Sequence, residues 1–230
     1  MTIRQHRGDL PDLKRYTGAV AIDTETMGLD PRRDRLCVVQ LSPGDGSADV
    51  VQIPAGPRDA PNIKALLANP ARLKIFHFAR FDITTLFNAF GVMPTPVYCT
   101  KIASRLSRTY TDRHGLKDLT REILGIEVSK QQQSSDWGAG ELTEAQVAYA
   151  ASDVLHLHAL KEKLDIMLAR EGRTALAAAC FRFLPDRSRL DLMLAREGRT
   201  ELAAACFGFL PDRVRLDLAG WAAEDIFSHS

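Results

Sequence analysis

Apolar positions along the first half of the chain come in short, unbroken runs. GAVAIDTET opens on such a run, which predicts a buried strand over 18–24. LCVVQL and ADVVQI predict further strands over 35–42 and 49–53. The turn-rich segments MGLDPRRD and SPGDGSAD separate the three, so they are expected to pair antiparallel. A helix near 62–69, a strand over 73–78 and a helix over 82–90 follow, then a short strand over 97–99. Helices are expected near 100–107 and 115–124. The polar loop SKQQQSSDWGAG leads into LTEAQVAYAASDVLHLHALKEKL, whose pattern predicts one long helix. After the first three strands, helices and strands alternate, as in an α/β protein with helices flanking its mixed central sheet.

The tail carries a repeat. LDIMLAREGRTALAAACFRFLPDRSR at 164–189 is followed by LDLMLAREGRTELAAACFGFLPDRVR at 190–215. The 26-residue copies differ at Ile166/Leu192, Ala175/Glu201, Arg182/Gly208 and Ser188/Val214, and LDLAGW at 216 starts a third, partial copy. Two amphipathic helical units are too few for an independent solenoid. The tail, 164–230, is therefore expected to be a helical appendage to the domain formed by 1–165, produced by a recent tandem duplication. One copy should pack on that domain or on a neighbouring subunit. The other should extend a helix, form a hairpin or reach another protomer.

Composition changes the picture little. The chain has 230 residues, 45% hydrophobic and 26% charged, with a formal net charge of +1. That balance suits one soluble domain and lacks the basic excess of proteins that grip long duplexes. Lys101, Arg105, Arg108, Arg113, Lys117 and Arg121 nonetheless crowd into 100–121 against Asp112 and Asp118. This run is either a solvated helix face or a phosphate- or subunit-facing surface. Arg113 and His114 precede an expected helix start, where a phosphate would be favoured. Cys37, Cys99, Cys180 and Cys206 form no CxxC pair, and Cys37 is expected as a buried free thiol. No membrane span or apolar leader is read, so the expected location is the cytoplasm.

Candidate chemistry lies in three separated segments: Asp23 and Glu25 in AIDTET, Asp82 in HFARFD, and Tyr149 with Asp153 in YAASD. On a strand, residues two apart share a face, so Asp23 and Glu25 point together and Thr24 points away. On a helix, Tyr149 and Asp153 lie one turn apart on one face. Each piece alone has an ordinary structural explanation: an edge pair, a helix cap or surface decoration. Together they supply the oxygen ligands for two divalent cations, Mg²⁺ or Mn²⁺, and a phenol that can hold a water.

These segments resemble the three exonuclease motifs of the DEDD exonucleases, and Tyr149 marks the DEDDy branch that includes ribonuclease D. The nanoRNase C group, short ribonuclease D-like proteins, is closer still. The similar stretches include IRQHRGDLP, AIDTETMGLDPRRDRLCVVQLSPGDG, KIFHFARFD, FGVMPTPVYCTKIASRLSRTYTDRHGLKDL, SKQQQSSDW and YAASDVLHLHAL, resuming with ACFGFLPDRVRLDLAGW. The resemblance implies an RNase H-like DEDD exonuclease fold, a DEDDy catalytic domain over 1–165, and 3′→5′ exonucleolysis with two divalent metals. It also implies very short RNA as substrate, diribonucleotides above all, and a homo-oligomer in the form of an octameric ring. Phe78 stands where ribonuclease D proteins usually carry Asn, and the nanoRNase C group is similar there.

Expected substrate contacts are Thr26, Leu29, His77, Phe78, Arg113, His114, Gln133 and Ser135. In the family the leucine equivalent to Leu29 inserts against the bases. Phe78 could stack on a base or pack in the core, and His77 could touch a phosphate or a 2′-OH or be a satisfied core residue. Trp137 is expected as a packing anchor. Rival readings stay open: a trimmer of longer RNA 3′ ends, a DNA exonuclease, and a catalytically dead RNA-binding or assembly scaffold.

Overall fold

A computed structural model describes residues 2–30, 33–56, 59–129, 131–132 and 134–196, together with residues 209, 212 and 215. One six-stranded sheet organises them, in the order β1-β4-β3-β2-β5-β6. The strands are β1 (Thr2–Arg7), β2 (Val20–Thr26), β3 (Leu36–Ser42), β4 (Ser47–Gln52), β5 (Lys74–Phe76) and β6 (Val97–Cys99). β2, β3 and β4 form the expected antiparallel meander. β5 and β6 extend it in parallel on the β2 side, and β1 joins β4 in parallel at the other edge.

β1 is an element that the hydrophobic pattern did not announce. TIRQHR carries few apolar residues because the strand lies at an edge and stays partly exposed. Its polar side chains are used instead: His6 reaches Asp49 of β4 at 2.9 Å. From the segment that follows β1, Arg15 and the Tyr16 hydroxyl donate to the same carboxylate, each at 2.7 Å.

The helices are α1 (Pro61–Ala68), α2 (Ala79–Phe90), α3 (Thr100–Ser107), α4 (Leu116–Leu119), α5 (Glu144–Leu155), α6 (Leu157–Arg170) and α7 (Thr174–Arg196). α4 runs on into a π-helical turn over Thr120–Leu124. The single long helix expected over 142–164 is broken at His156 into α5 and α6. The helix expected at 82 starts at Ala79, so Asp82 lies in its first turn. α5 packs over β2, β3 and β4, whereas α2 packs against β2, β5 and β6 and along α7. The boundary drawn at 164–165 falls inside α6, and α7 contributes Cys180, Leu184 and Leu190 to the common core. Among the described residues no helix is long and apolar enough to cross a membrane.

Most of the second tail copy lies outside the described residues. Its first seven residues continue α7, and Phe209 stacks on Phe183 with ring centroids 3.8 Å apart and planes at 10°. These two residues occupy equivalent positions in the two copies.

Candidate active site

The centre of the site is the C-terminal half of β2. Its alternation sends Asp23 and Glu25 to the face that α5 covers, and Tyr149 and Asp153 descend from α5 onto that face. Carboxylate oxygens of Asp23, Glu25 and Asp153 lie within 4.8 Å of one another. Thr24 points the other way, as expected, and finds a use there. Its hydroxyl donates to Asp82 Oδ1 at 2.7 Å and so ties the α2 carboxylate to the strand. Asp82 is 2% exposed.

α5 is set in place by a reciprocal cap. Thr143 Oγ1 accepts from the Gln146 backbone N–H at 3.2 Å, and Gln146 Oε1 accepts from the Thr143 N–H at 2.9 Å. Tyr149 packs against the buried Trp137 ring, with centroids 6.0 Å apart. Its hydroxyl and the Asp153 carboxylate are close enough to shift one another, the acid raising the phenol and the phenol lowering the acid.

Electrostatics make the cluster one whose repulsion a cation would relieve. Burial pushes Asp23 up to about 7, more than the Thr24 backbone N–H can offset. Burial, then Asp23, Asp153 and Asp82, push Glu25 up to about 10. Burial and Asp23 also hold Asp82 and Asp153 well above the usual carboxylate range. Burial, with Asp153 next, keeps the Tyr149 phenol protonated. Carboxylates that repel one another in a desolvated pocket are relieved by a hard cation with oxygen ligands. The donor set present therefore fits divalent metal.

A cavity of about 830 Å³ opens from this floor. Thr26, Leu29, His77, Phe78, Arg113, His114 and Ser135 all line it with the four acids and Tyr149. Gln133 lies outside the described residues. Leu29 is 84% exposed at the mouth, on a loop held by the Asp34 backbone N–H donating to the Asp30 carbonyl at 2.7 Å. A Cβ at Gly28 would displace the Asp34 carboxylate, which accepts from the Asp30 backbone N–H and pairs with Arg33. Phe78 caps α2 in the left-handed region at φ 60°, strained for a residue other than glycine. His77 Nδ1 lies 2.9 Å from Thr100 Oγ1.

His114 lines the cavity beside Arg113 but is held within the fold. Its Nδ1 lies 2.9 Å from Ser104 Oγ, and burial with Arg105 and Arg108 pulls it down to about 4. It is thus uncharged at neutral pH, which leaves Arg113 and Lys117 as the cations at that rim. Arg108, read only as one charge of the 100–121 run, is buried and donates to the Arg113 carbonyl at 3.0 Å.

Two cavity residues escaped the motif reading. Thr24 was visible only as the residue between two acids. Lys101 counted as one of a basic run, yet it is buried, with Nζ 4.7 Å from the Phe78 ring centroid. Burial, then Arg105, lowers its pKa.

A family model described as 3′-5′ exonuclease matches residues 9–169. The structure of Brucella melitensis NrnC bound to pGG is 56% identical, covers 100% of both chains and superposes with a TM-score of 0.80. Brucella melitensis NrnC with bound Mg²⁺ is 55% identical over 100% of both chains, with a TM-score of 0.79. Ribonuclease D of Acidiphilium cryptum is 38% identical over 67% of this chain, which spans only 39% of that protein's length.

Proposed function

The chain belongs to the 3′-5′ exonuclease family, as a short, ribonuclease D-like member with an RNase H-like DEDD fold, and from that premise we propose a metal-dependent 3′→5′ exoribonuclease that degrades very short RNA, diribonucleotides above all, to 5′-mononucleotides. The observation that carries this reading is the joining of four acids and Tyr149 at the floor of one cavity. Its volume, about 830 Å³, is that of a small-ligand site, and the net charge of +1 offers no field for gripping long nucleic acid. The likeness to a protein solved with pGG supports the same substrate class.

In this reading Asp23, Glu25 and Asp153 would hold one Mg²⁺ or Mn²⁺, and Asp23 with Asp82, partly through water, would hold the second. Bound cations supply charge stabilisation for the scissile phosphate and the leaving oxygen. The protein's own residues position the reactants. Thr24 fixes Asp82, and Asp153 fixes the Tyr149 hydroxyl, which holds the attacking water. That water forms a bond to the 3′-terminal phosphorus as the bond from phosphorus to the preceding O3′ breaks. The departing O3′ gains a proton, and a 5′-mononucleotide leaves. Leu29 and Phe78 contact the bases. Thr26, His77, Arg113, His114 and Ser135, which line the cavity, contact the rest of the substrate. Replacing Tyr149 by Phe should lower turnover severely and leave Mn²⁺ binding nearly unchanged; turnover near that of the wild type would refute the role given to the phenol.

The functional test is turnover of 5′-labelled RNAs of two to seven nucleotides with Mg²⁺ or Mn²⁺, beside the Asp23→Ala protein and matched DNA. A sharp preference for the two-mer is expected. Equal rates at every length would make the protein a general trimmer of RNA 3′ ends, and equal rates on DNA would remove the sugar preference. A homo-octameric ring in the cytoplasm completes the proposal, and light scattering would measure its size.

A further inference from the structure

The side-chain amide of Gln40 is fully buried, and neither its Oε1 nor its Nε2 has a hydrogen-bond partner. A polar group sealed in this way without a partner destabilises the fold. Elsewhere in β3 the side chains are apolar, apart from Ser42, whose hydroxyl donates to the Ser47 carbonyl at 2.7 Å. Met or Leu would fill the Gln40 position without an unpaired amide. The neighbour explains why a polar group sits there. Gln40 lies directly opposite Asp23 in the antiparallel β2–β3 ladder. Residues paired in this way send their side chains to one face, with Cβ atoms about 4.5–5.5 Å apart. This is the face on which Asp23, Glu25 and Asp153 converge.

We propose that Gln40 is a positioning residue for Asp23: its Nε2–H donates to the Asp23 carboxylate when that group turns to bind a cation. The inference rests on the reading of the acids as a divalent-cation site. A carboxylate ligand has two oxygens, and a donor on one of them fixes the direction in which the other presents its lone pair. An amide suits this task because it is neutral. A lysine or arginine in its place would satisfy Asp23 by charge and compete with the metal. The amide is unpaired in the metal-free fold and gains its partner on loading.

Gln40→Met, which keeps the length of the side chain, would be titrated with Mn²⁺ by calorimetry and melted in EDTA beside the wild type. Gln40→Leu serves as a second variant. Both should melt in EDTA at or above the wild-type temperature, and both should bind Mn²⁺ about 10-fold or more weakly. Unchanged Mn²⁺ affinity in both variants would overturn the proposal. A lower melting temperature in EDTA for both would also overturn it, because the amide would then already be bonded within the fold. If the wild type itself takes up no Mn²⁺, the cation-site reading falls too; wild-type binding with unaltered variants removes only the role of Gln40.

Discussion

Asp23 and Glu25 are acids that the folded chain holds in their protonated form at pH values where an unfolded chain has released the proton. Stability of the metal-free protein should therefore fall as pH rises from the ordinary carboxylate range through the folded values, about 7 for Asp23 and about 10 for Glu25. A divalent cation removes the repulsion that causes the shift. In EDTA the melting temperature should drop between about pH 5 and about pH 8, and Mg²⁺ should raise it more at the higher pH. An equal Mg²⁺ effect at both values would show that the acids are not the cation site. The five residues of the motifs were legible in the sequence because each pair sits within one element, where strand or helix periodicity alone fixes the shared face. Thr24, Lys101 and Gln40 were not legible in this way. Their roles depend on which strand pairs with which, and in what register, and no local pattern carries that information.

Elements show the same division. β2, β3 and β4 could be read from apolar runs because both faces of these strands are covered, whereas β1 is a partly exposed edge strand whose Arg4 and His6 side chains hydrogen-bond Ser47 and Asp49 of β4. The break between α5 and α6 was invisible, since LHLHAL continues the helical pattern across it. The near-identical tail segments LDIMLAR and LDLMLAR differ in burial at one equivalent position: Ile166 of α6 is exposed, whereas Leu192 of α7 is buried. The cap of α5 was present in the sequence as Thr143 three residues before Gln146. It joins the helix start to the loop below the cavity, because Gln146 Nε2 also donates to the Asp136 carbonyl at 3.0 Å. Thr143→Ala should cost about 1 kcal/mol in urea unfolding. An unchanged midpoint would mean that the packing of α5, and not its cap, sets the position of Tyr149 and Asp153.

At the scale of the molecule, the two tail copies separate what the fold needs from what the repeat adds. α7 passes from the first copy into the second, and Leu190 and Leu192 are part of its buried face. Deleting 190–215 does not leave those positions empty. The cut joins Arg189 to LDLAGW, so Leu216 and Leu218 arrive at the positions of Leu190 and Leu192 with the 26-residue register intact. The Phe209 ring is lost from Phe183, and the apolar surface it covers is freed for another contact. The acids, Tyr149 and the cavity lining lie on β2, α2, α3, α4, α5 and the loops beside them, none of which falls within 190–215. Turnover of short RNA per protomer should therefore stay within about twofold of the full chain, as for changes distant from a site. Assembly size, measured by light scattering, should shift. Loss of turnover with assembly size unchanged would mean that the second copy supports the active site itself, and the repeat would then belong to the catalytic domain.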